Sequence, residues 1–493
     1  MRLGSATFLL SALLVLGTGA AQAVPGNLDP SFGRNGIATT RIGDSSSAQG
    51  LVLQPDGKIV EAGWSLDATD GVFALARFAD DGTLDRGFGS NGTTTTSWGT
   101  HSQAHALALQ PDGKIVVAGQ IFYRARFALA RYEPGGSLDP SFTADGKLTF
   151  PIGEESGATA VAVQPDGKIV VAGYASNGAR ADVALARLKP DGSPDHGFAS
   201  DGVTTTPIGR GSGAEALALQ PDGKIVLAGF SAGSNGRSRL TLVRYDAGGS
   251  LDGGFGSGGI ATLEGSPYHA EAHALALQPD GKIVVAGNDS GRGLMLARYL
   301  PDGTLDQAFG SGGRVLTEVV GDSEATAVAI QPDGKIVAAG RALDGAVSTY
   351  AVARYDAAGA LDPGFGRGGV VVTRLSTLPT IVAGTAAGVI LQRDGKIVVG
   401  GTIQRLTGSA SPAFGLARYL VTPGCRVPDV RGRRLDRARA ALVSAGCSAG
   451  RVTRIFSTRV RRGRVIAQRP APGAGLPQLA KVNLVVSKGR RSR

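Results

Sequence analysis

The chain has 493 residues, with 51 Lys and Arg against 40 Asp and Glu, for a net charge of +11. That length exceeds one ordinary domain. The 76 glycines and 5% aromatic content point to a turn-dense β protein with a core of Ala, Val, Leu and Ile. Two cysteines with no third or fourth ligand beside them argue against a cysteine-built metal site.

Met1–Ala23 reads as a signal peptide. Arg2 gives a positive start, Ala6–Leu16 is apolar but short for a membrane span, and Ala21-Gln22-Ala23 is an A-x-A cleavage site. An uncleaved anchor is the alternative. No other stretch is long and apolar enough to cross a bilayer, so the mature chain is expected to be exported.

From residue 24 to 420 the chain repeats itself. The core QPDGK or QRDGK begins at Gln54, Gln110, Gln164, Gln220, Gln278, Gln331 and Gln392, at spacings of 56, 54, 56, 58, 53 and 61 residues. Self-similarity at this period marks a repeat architecture. Each unit reads as a small-residue strand (AxALALQ), a Pro-Asp-Gly-Lys turn and a β-branched strand (KIVVAG). A variable loop, a third strand such as Phe127–Tyr132, a second turn and a short LDxxFGxxG motif follow. KIVVAG is apolar on both sides, so both faces of its sheet should be covered. This predicts an all-β seven-bladed β-propeller, with a solenoid as the structural rival. The first LDxxFG copy, Leu28–Gly33, has no third strand before it, and the last third strand, Phe414–Tyr419, has no LDxxFG after it. The N-terminal copy is therefore expected to complete the seventh blade and remove a free sheet edge.

These motifs resemble the delta-60 repeat family, and look like a longer relative of NHL-type blades. The resemblance runs from about Leu28 to Tyr419. It implies a bacterial propeller and says almost nothing about a ligand.

Residues 421–424 read as a linker, and charge changes sharply there. From residue 421 onward there are 18 Lys and Arg against 2 Asp and Glu, whereas up to residue 420 there are 33 against 38. Within the tail, Leu435, Ala438, Ala441 and Leu442 fall on one helical stripe before Gly446. Gly463–Gln468 and Lys481–Ser487 read as strands. The opening VPDVRG, the helix, the QRPAPG loop and the closing VNLVVSKG resemble a PASTA domain, a small α+β fold, over residues 425–489, with 490–493 as a basic end. The resemblance implies binding of peptidoglycan. Single occurrence and a high arginine content set this copy apart from many relatives. An oxidising compartment makes a Cys425–Cys447 disulfide plausible, the alternative being two unpaired thiols.

No catalytic constellation emerges. The Asp of each PDG turn lacks the clustered oxygens that Ca²⁺ requires. Gly229-Phe230-Ser231-Ala232-Gly233 fits G-x-S-x-G without a helix behind it. His101/His105 and His269/His273 share an H-x₃-H spacing at strand entrances, without HExxH. No metal or cofactor is expected. One position in the first strand varies among fixed small neighbours: Gln49, His105, Thr159, Glu215, His273, Thr326 and Ala387. Lone polar residues are costly to bury, so this ring should meet water at the axis. It is either a solvated lining or a ligand site. Trp64, Tyr174 and Phe230 follow KIVVAG-type strands, and either grip a ligand or cap the blades.

The functional expectation is a secreted, wall-associated binding or scaffold protein. The propeller would recognise a glycan or protein, and Arg459, Arg461, Arg462 and Arg464 would help hold peptidoglycan or another anionic wall polymer. The alternative is an envelope enzyme acting on carbohydrate or peptide through Glu215, His105 and His273. Specific nucleic-acid binding would rest on the tail alone, and export argues against it.

Overall fold

In a computed structural model of the chain, the structure describes residues 25–67, 70–123, 125–263, 269–290, 292–345, 347–374, 382–405, 411–421, 425–445, 447–476 and 481–490. The expected signal peptide, Met1–Ala23, lies outside the described residues. These form two compact units, Pro25–Val421 and a C-terminal unit.

The Pro-Asp-Gly-Lys motif folds as the predicted turn. In the first copy the Gln54 N–H donates to the Lys58 carbonyl at 2.8 Å and the Gly57 N–H to the Gln54 carbonyl at 3.0 Å. Asp56 Oδ1 accepts the Lys58 N–H at 3.1 Å, and the same bond recurs in the other six copies. The repeated Asp is therefore consumed by its own turn, as expected. Gly57 sits at φ +90°, a conformation that glycine reaches without strain.

Each turn joins the innermost and second strands of a four-stranded antiparallel sheet. The first sheet runs Ser45–Leu53, Ile59–Asp67, Asp70–Phe78 and Thr93–Thr96. Seven such sheets occur. Seven apolar cores lie between them, one at each interface, including that between the seventh and first sheets. Second strands such as Ile115–Ile121 are buried on both faces, which explains why KIVVAG does not alternate. The architecture is a closed seven-bladed β-propeller, not a solenoid.

Closure works as the sequence predicts, with one shift. The strand that completes blade 7 is Ile37–Thr40, just beyond Leu28–Gly33, and Ile37 faces Ala417. The motif itself adds an isolated bridge between Leu28 and Tyr419. Deleting residues 25–40 should strip the edge of Ala413–Tyr419 and open two cores. The truncated chain is expected to melt far lower or aggregate, and an unchanged melting curve would refute the shared blade.

The LDxxFG motif proves to be a clasp between blades. Its Asp and Phe meet the Arg of the third strand and the Lys of the turn. In blade 2, Asp139 Oδ2 lies 2.6 Å from Arg131 Nε and 2.7 Å from Lys114 Nζ. The Arg131 guanidinium stacks 4.7 Å above the Phe142 ring and donates to the Pro190 carbonyl of blade 3. Arg77, Arg187, Arg244, Arg298, Arg354 and Arg418 repeat the arrangement. The last of them donates to the Asp80 carbonyl at 2.5 Å, so the clasp also joins blade 7 to blade 1.

The C-terminal unit has its own core of Val427, Val430, Ala438, Leu442, Cys447, Val465, Val482, Leu484 and Val486. The predicted helix is Leu435–Ser444, and it buries Ala438 and Leu442. Lys481–Ser487 forms as predicted, and Val465–Arg469 replaces the predicted Gly463–Gln468. A third strand, Ser448–Ile455, was not legible because its burial hardly alternates. It runs parallel to Lys481–Ser487, which pairs antiparallel with Val465–Arg469 on its other edge. Cys447 is buried and is not a free thiol, while the side chain of Cys425, its expected partner, lies outside the described residues. Among the described residues, no helix is long and apolar enough to cross a membrane.

Candidate functional site

Every innermost strand carries a β-bulge at the same place. In blade 2 the register jumps from Ala104 opposite Gly119 to Ala106 opposite Ala118, leaving His105 as the extra residue. The equivalent jumps isolate Gln49, Thr159, Glu215, His273, Thr326 and Ala387. These are the seven variable positions of the sequence. A bulged residue has no partner opposite, so its side chain is released from the sheet pairing.

The glycine ending each KIVVAG strand is part of the same device. A Cβ on Gly119 would stand 2.0 Å from the Gln103 carbonyl oxygen, and one on Gly229 2.0 Å from that of Gly213. The second strand approaches the bulge too closely for any side chain, which is why the motif ends in Gly.

The seven bulge residues line one axial cavity of about 440 Å³, joined by Ser47, Thr385 and Thr402 among others. The polar residues divide into two kinds. Thr159 and Thr326 are tied into the wall: their hydroxyls donate to the carbonyls of Ala214 at 2.6 Å and Ala386 at 2.7 Å, each in the next blade. Gln49 Nε2 donates to Ser47 Oγ at 3.2 Å, and Ser47 bonds Thr402 at 2.7 Å. Glu215, His105 and His273 have no such anchors. Burial pushes the Glu215 carboxyl up to about 7, and the nearby charge of Glu271 pushes the same way. Burial pushes the His105 imidazole down to about 4. His273 Nε2 is buried without a hydrogen-bond partner.

The H-x₃-H pairs split by role. His101 Nδ1 accepts the Gly71 N–H at 2.9 Å and His269 Nδ1 the Ser238 N–H at 3.1 Å, tying blades together. Only His105 and His273 reach the cavity. Among the described residues, no three His, Cys, Asp or Glu side chains gather with metal-binding geometry. Ser231 of the G-x-S-x-G match lies within the strand Ile225–Ala232, bonded to Thr241 Oγ1 at 2.8 Å, so no nucleophile elbow forms.

The aromatic candidates do not line the cavity. Tyr174 pairs with Gly157 and its hydroxyl donates to Gln120 Oε1 at 3.0 Å. Phe230 pairs with Gly213, whose missing side chain leaves room for the ring. Trp64 pairs with Ser47 and is half-buried.

In the C-terminal unit, Arg459, Arg461 and Arg462 are exposed, close in sequence to the exposed Ile455 and to Phe456, 52% exposed. Arg464 differs, because its Nη1 donates to the Gly432 carbonyl at 2.7 Å. Gln468 staples the opening segment: its Oε1 accepts the Val430 N–H at 2.8 Å and its Nε2 donates to the Pro428 carbonyl at 2.9 Å. That pair of bonds links the VPDV and QRP motifs.

Comparison with known proteins agrees with this division. A family described as a domain of unknown function (DUF5122) beta-propeller matches residues 54–88, 110–142, 164–198, 220–255, 278–309, 331–365 and 392–421. That description names neither delta-60 nor NHL repeats, so those likenesses remain resemblances. The PASTA domain matches residues 426–488. Among solved structures, Sqt1 from Chaetomium thermophilum is 14% identical over 78% of this chain and 99% of its own, with a TM-score of 0.42. A protein from Lactobacillus plantarum is 16% identical over 74% and 96%, with a TM-score of 0.37. An ulvan lyase is 10% identical over 82% and 96%, with a TM-score of 0.42. The chain is thus a seven-bladed β-propeller built of DUF5122 repeats, with a PASTA domain at its C-terminus.

Proposed function

We propose that this is an exported bacterial envelope protein in which the propeller is a recognition module and the PASTA domain anchors it to the cell wall. On this reading residues 1–23 are a cleaved signal peptide, 24–420 the propeller, 421–424 the linker, 425–489 the anchor and 490–493 a basic end. Cys425 and Cys447 pair in the oxidising compartment. The observation that carries the reading is the PASTA match on a segment with 18 basic against 2 acidic residues. Wall polymers rich in phosphate and carboxylate attract such a segment, and a PASTA fold adds contacts that do not depend on charge. Two weak modules on one chain raise each other's effective concentration.

The test is co-sedimentation with purified peptidoglycan. The full chain should pellet strongly at low salt and retain a bound fraction at high salt, because screening within about 8 Å at physiological ionic strength removes only the exposed-charge part. Arg459→Gln, Arg461→Gln and Arg462→Gln together should remove mainly the salt-sensitive part. A chain ending at residue 421 should bind much less. Complete loss at high salt would reduce the tail to a polycation, and equal pelleting of the truncated chain would move the anchor to the propeller.

A second reading has one observation in its favour. A carboxyl near pKa 7, as in Glu215, is poised for general acid or base work. It would make the chain an envelope enzyme acting on carbohydrate or peptide at the cavity.

A further inference from the structure

We propose that the axial cavity binds a small organic cation, a ligand presenting an ammonium group on a polar frame. This deepens the reading of the propeller as a recognition module and rests on it. The cavity, at about 440 Å³, is of the size that holds small ligands, and no Lys or Arg lines it. Its one formally charged lining residue is Glu215.

Glu271, on the neighbouring blade, stands close enough to raise Glu215 further. Neither carboxylate has an ion pair or hydrogen bond within the described residues. Blade 6 shows what is missing. There Glu324 occupies the place of Glu271 and is held by Arg341 Nε at 2.6 Å. In blade 5 the residue opposite Glu271 is Asn288, which brings no charge to pair with it.

The rest of the wall favours a donor-rich ligand. Among the described residues no hydrogen bond holds His105, which burial keeps neutral near pH 7, and His273 Nε2 is buried without a partner. The Thr159 and Thr326 hydroxyl protons are already committed to backbone carbonyls, which leaves their oxygens as acceptors. Acceptors therefore outnumber free donors. An ammonium group brings three donors and no acceptor, and it neutralises a carboxylate that burial penalises. An anion would meet Glu215 and Glu271 unscreened. A metal ion finds no three-ligand set among the described residues.

Binding should also release protons. At pH 7 a carboxyl with a pKa near 7 is about half protonated, and a bound cation pulls it to the ionised form. The titratable groups facing it are Glu271 and His273 on blade 5, His105 on blade 2 and Tyr174 on blade 3.

The experiment is isothermal titration of the full chain at pH 7 with 4-aminobutan-1-ol and with 1,4-butanediol. The two share a frame and differ in the ammonium. The amine should bind about tenfold or more tightly than the diol, as expected for a charged hydrogen bond in a shielded site. Its heat should vary with the buffer's ionisation enthalpy, reporting proton release. Glu215→Gln should weaken the amine about tenfold or more and abolish that release, with a melting curve near that of the parent. Glu271→Gln should weaken it several-fold. Equal binding of amine and diol, no binding of either, indifference to both substitutions, or binding of Zn²⁺ or Ca²⁺ alone would overturn the proposal. A glycan and peptide array probed with the same chain separates the two levels. Array binding without amine binding sinks the cavity proposal alone, and amine binding with a blank array sinks the larger recognition surface.

Discussion

Replacing Asp139 with Asn should cost about 3 kcal/mol of stability, read as a fall in the urea midpoint. Asp139 is 1% exposed, and its Oδ2 receives both Arg131 and Lys114. Asn keeps the shape and removes the charge, so two shielded cations lose their counter-ion. Glu133, 3.1 Å from Lys114, compensates only one of them. The exposed turn residue Asp112 is the control, and Asp112→Asn should change stability by less than about 0.5 kcal/mol. The pH dependence gives a second readout. Burial alone would raise the Asp139 pKa, but hydrogen bonds from Lys114, Ser141 and Arg131 outweigh it and hold the carboxyl well below its ordinary value. A depressed folded-state pKa contributes stability that is present above the ordinary Asp range and lost as pH falls. The gap between parent and variant should therefore close in acid. A gap independent of pH would mean that the clasp acts through packing alone.

The opposite change should stabilise. Changing Glu61 to Val together with Gly400 to Ala should raise stability by about 2 kcal/mol at neutral pH. Glu61 is buried, and the Gly401 N–H that approaches its carboxyl satisfies neither oxygen. It lies at the interface of blades 7 and 1, where a Cβ on Gly400 would stand 2.7 Å from its Oε1. The equivalent pairs at other interfaces are apolar: Ala62 with Val117, Ala118 with Val171, and Ala339 with Val399. The double substitution rebuilds that pair. Gly400→Ala alone should destabilise, because Glu61, Leu51 and Leu416 occupy the space, so the two changes should be strongly non-additive. Burial raises the Glu61 pKa well above its ordinary 4.5. Such a group contributes stability that is full below the ordinary carboxyl range and lost as pH rises through its raised pKa. The advantage of the double variant should thus grow with pH, and a constant advantage would place the penalty in shape rather than charge.

Why some of this was legible and some not follows from what each residue does. The turns could be read because Pro, Asp, Gly and Lys each act locally, within four residues. The ring of cavity residues could be read because the bulge frees one position per blade while its neighbours stay small to pack. The clasp was not read, although its four letters recur in step, because Arg131, Asp139, Lys114 and Phe142 meet only after three strands fold back. Glu61 departs from KIVVAG by a single letter, and only its contact with Gly400, far along the chain, gives it meaning. In the tail, stripe and helix agreed because the helix buries one face, whereas Ser448–Ile455 hides little and left no period to detect.

The pairing of Ile37 with Ala417 sets a timetable for synthesis. The earliest strand of the propeller to leave the ribosome waits for the latest before it has a partner. Blades can form and stack in turn as the chain emerges, but none of them supplies an edge for Ile37–Thr40. Contacts of such sequence separation are slow to form, and they leave apolar surface open while they wait. A nascent chain stopped short of residue 413 would carry a formed first blade with its blade-7 face bare. Completion is a single late event, and quality control that senses exposed apolar surface would see every unfinished copy until that moment.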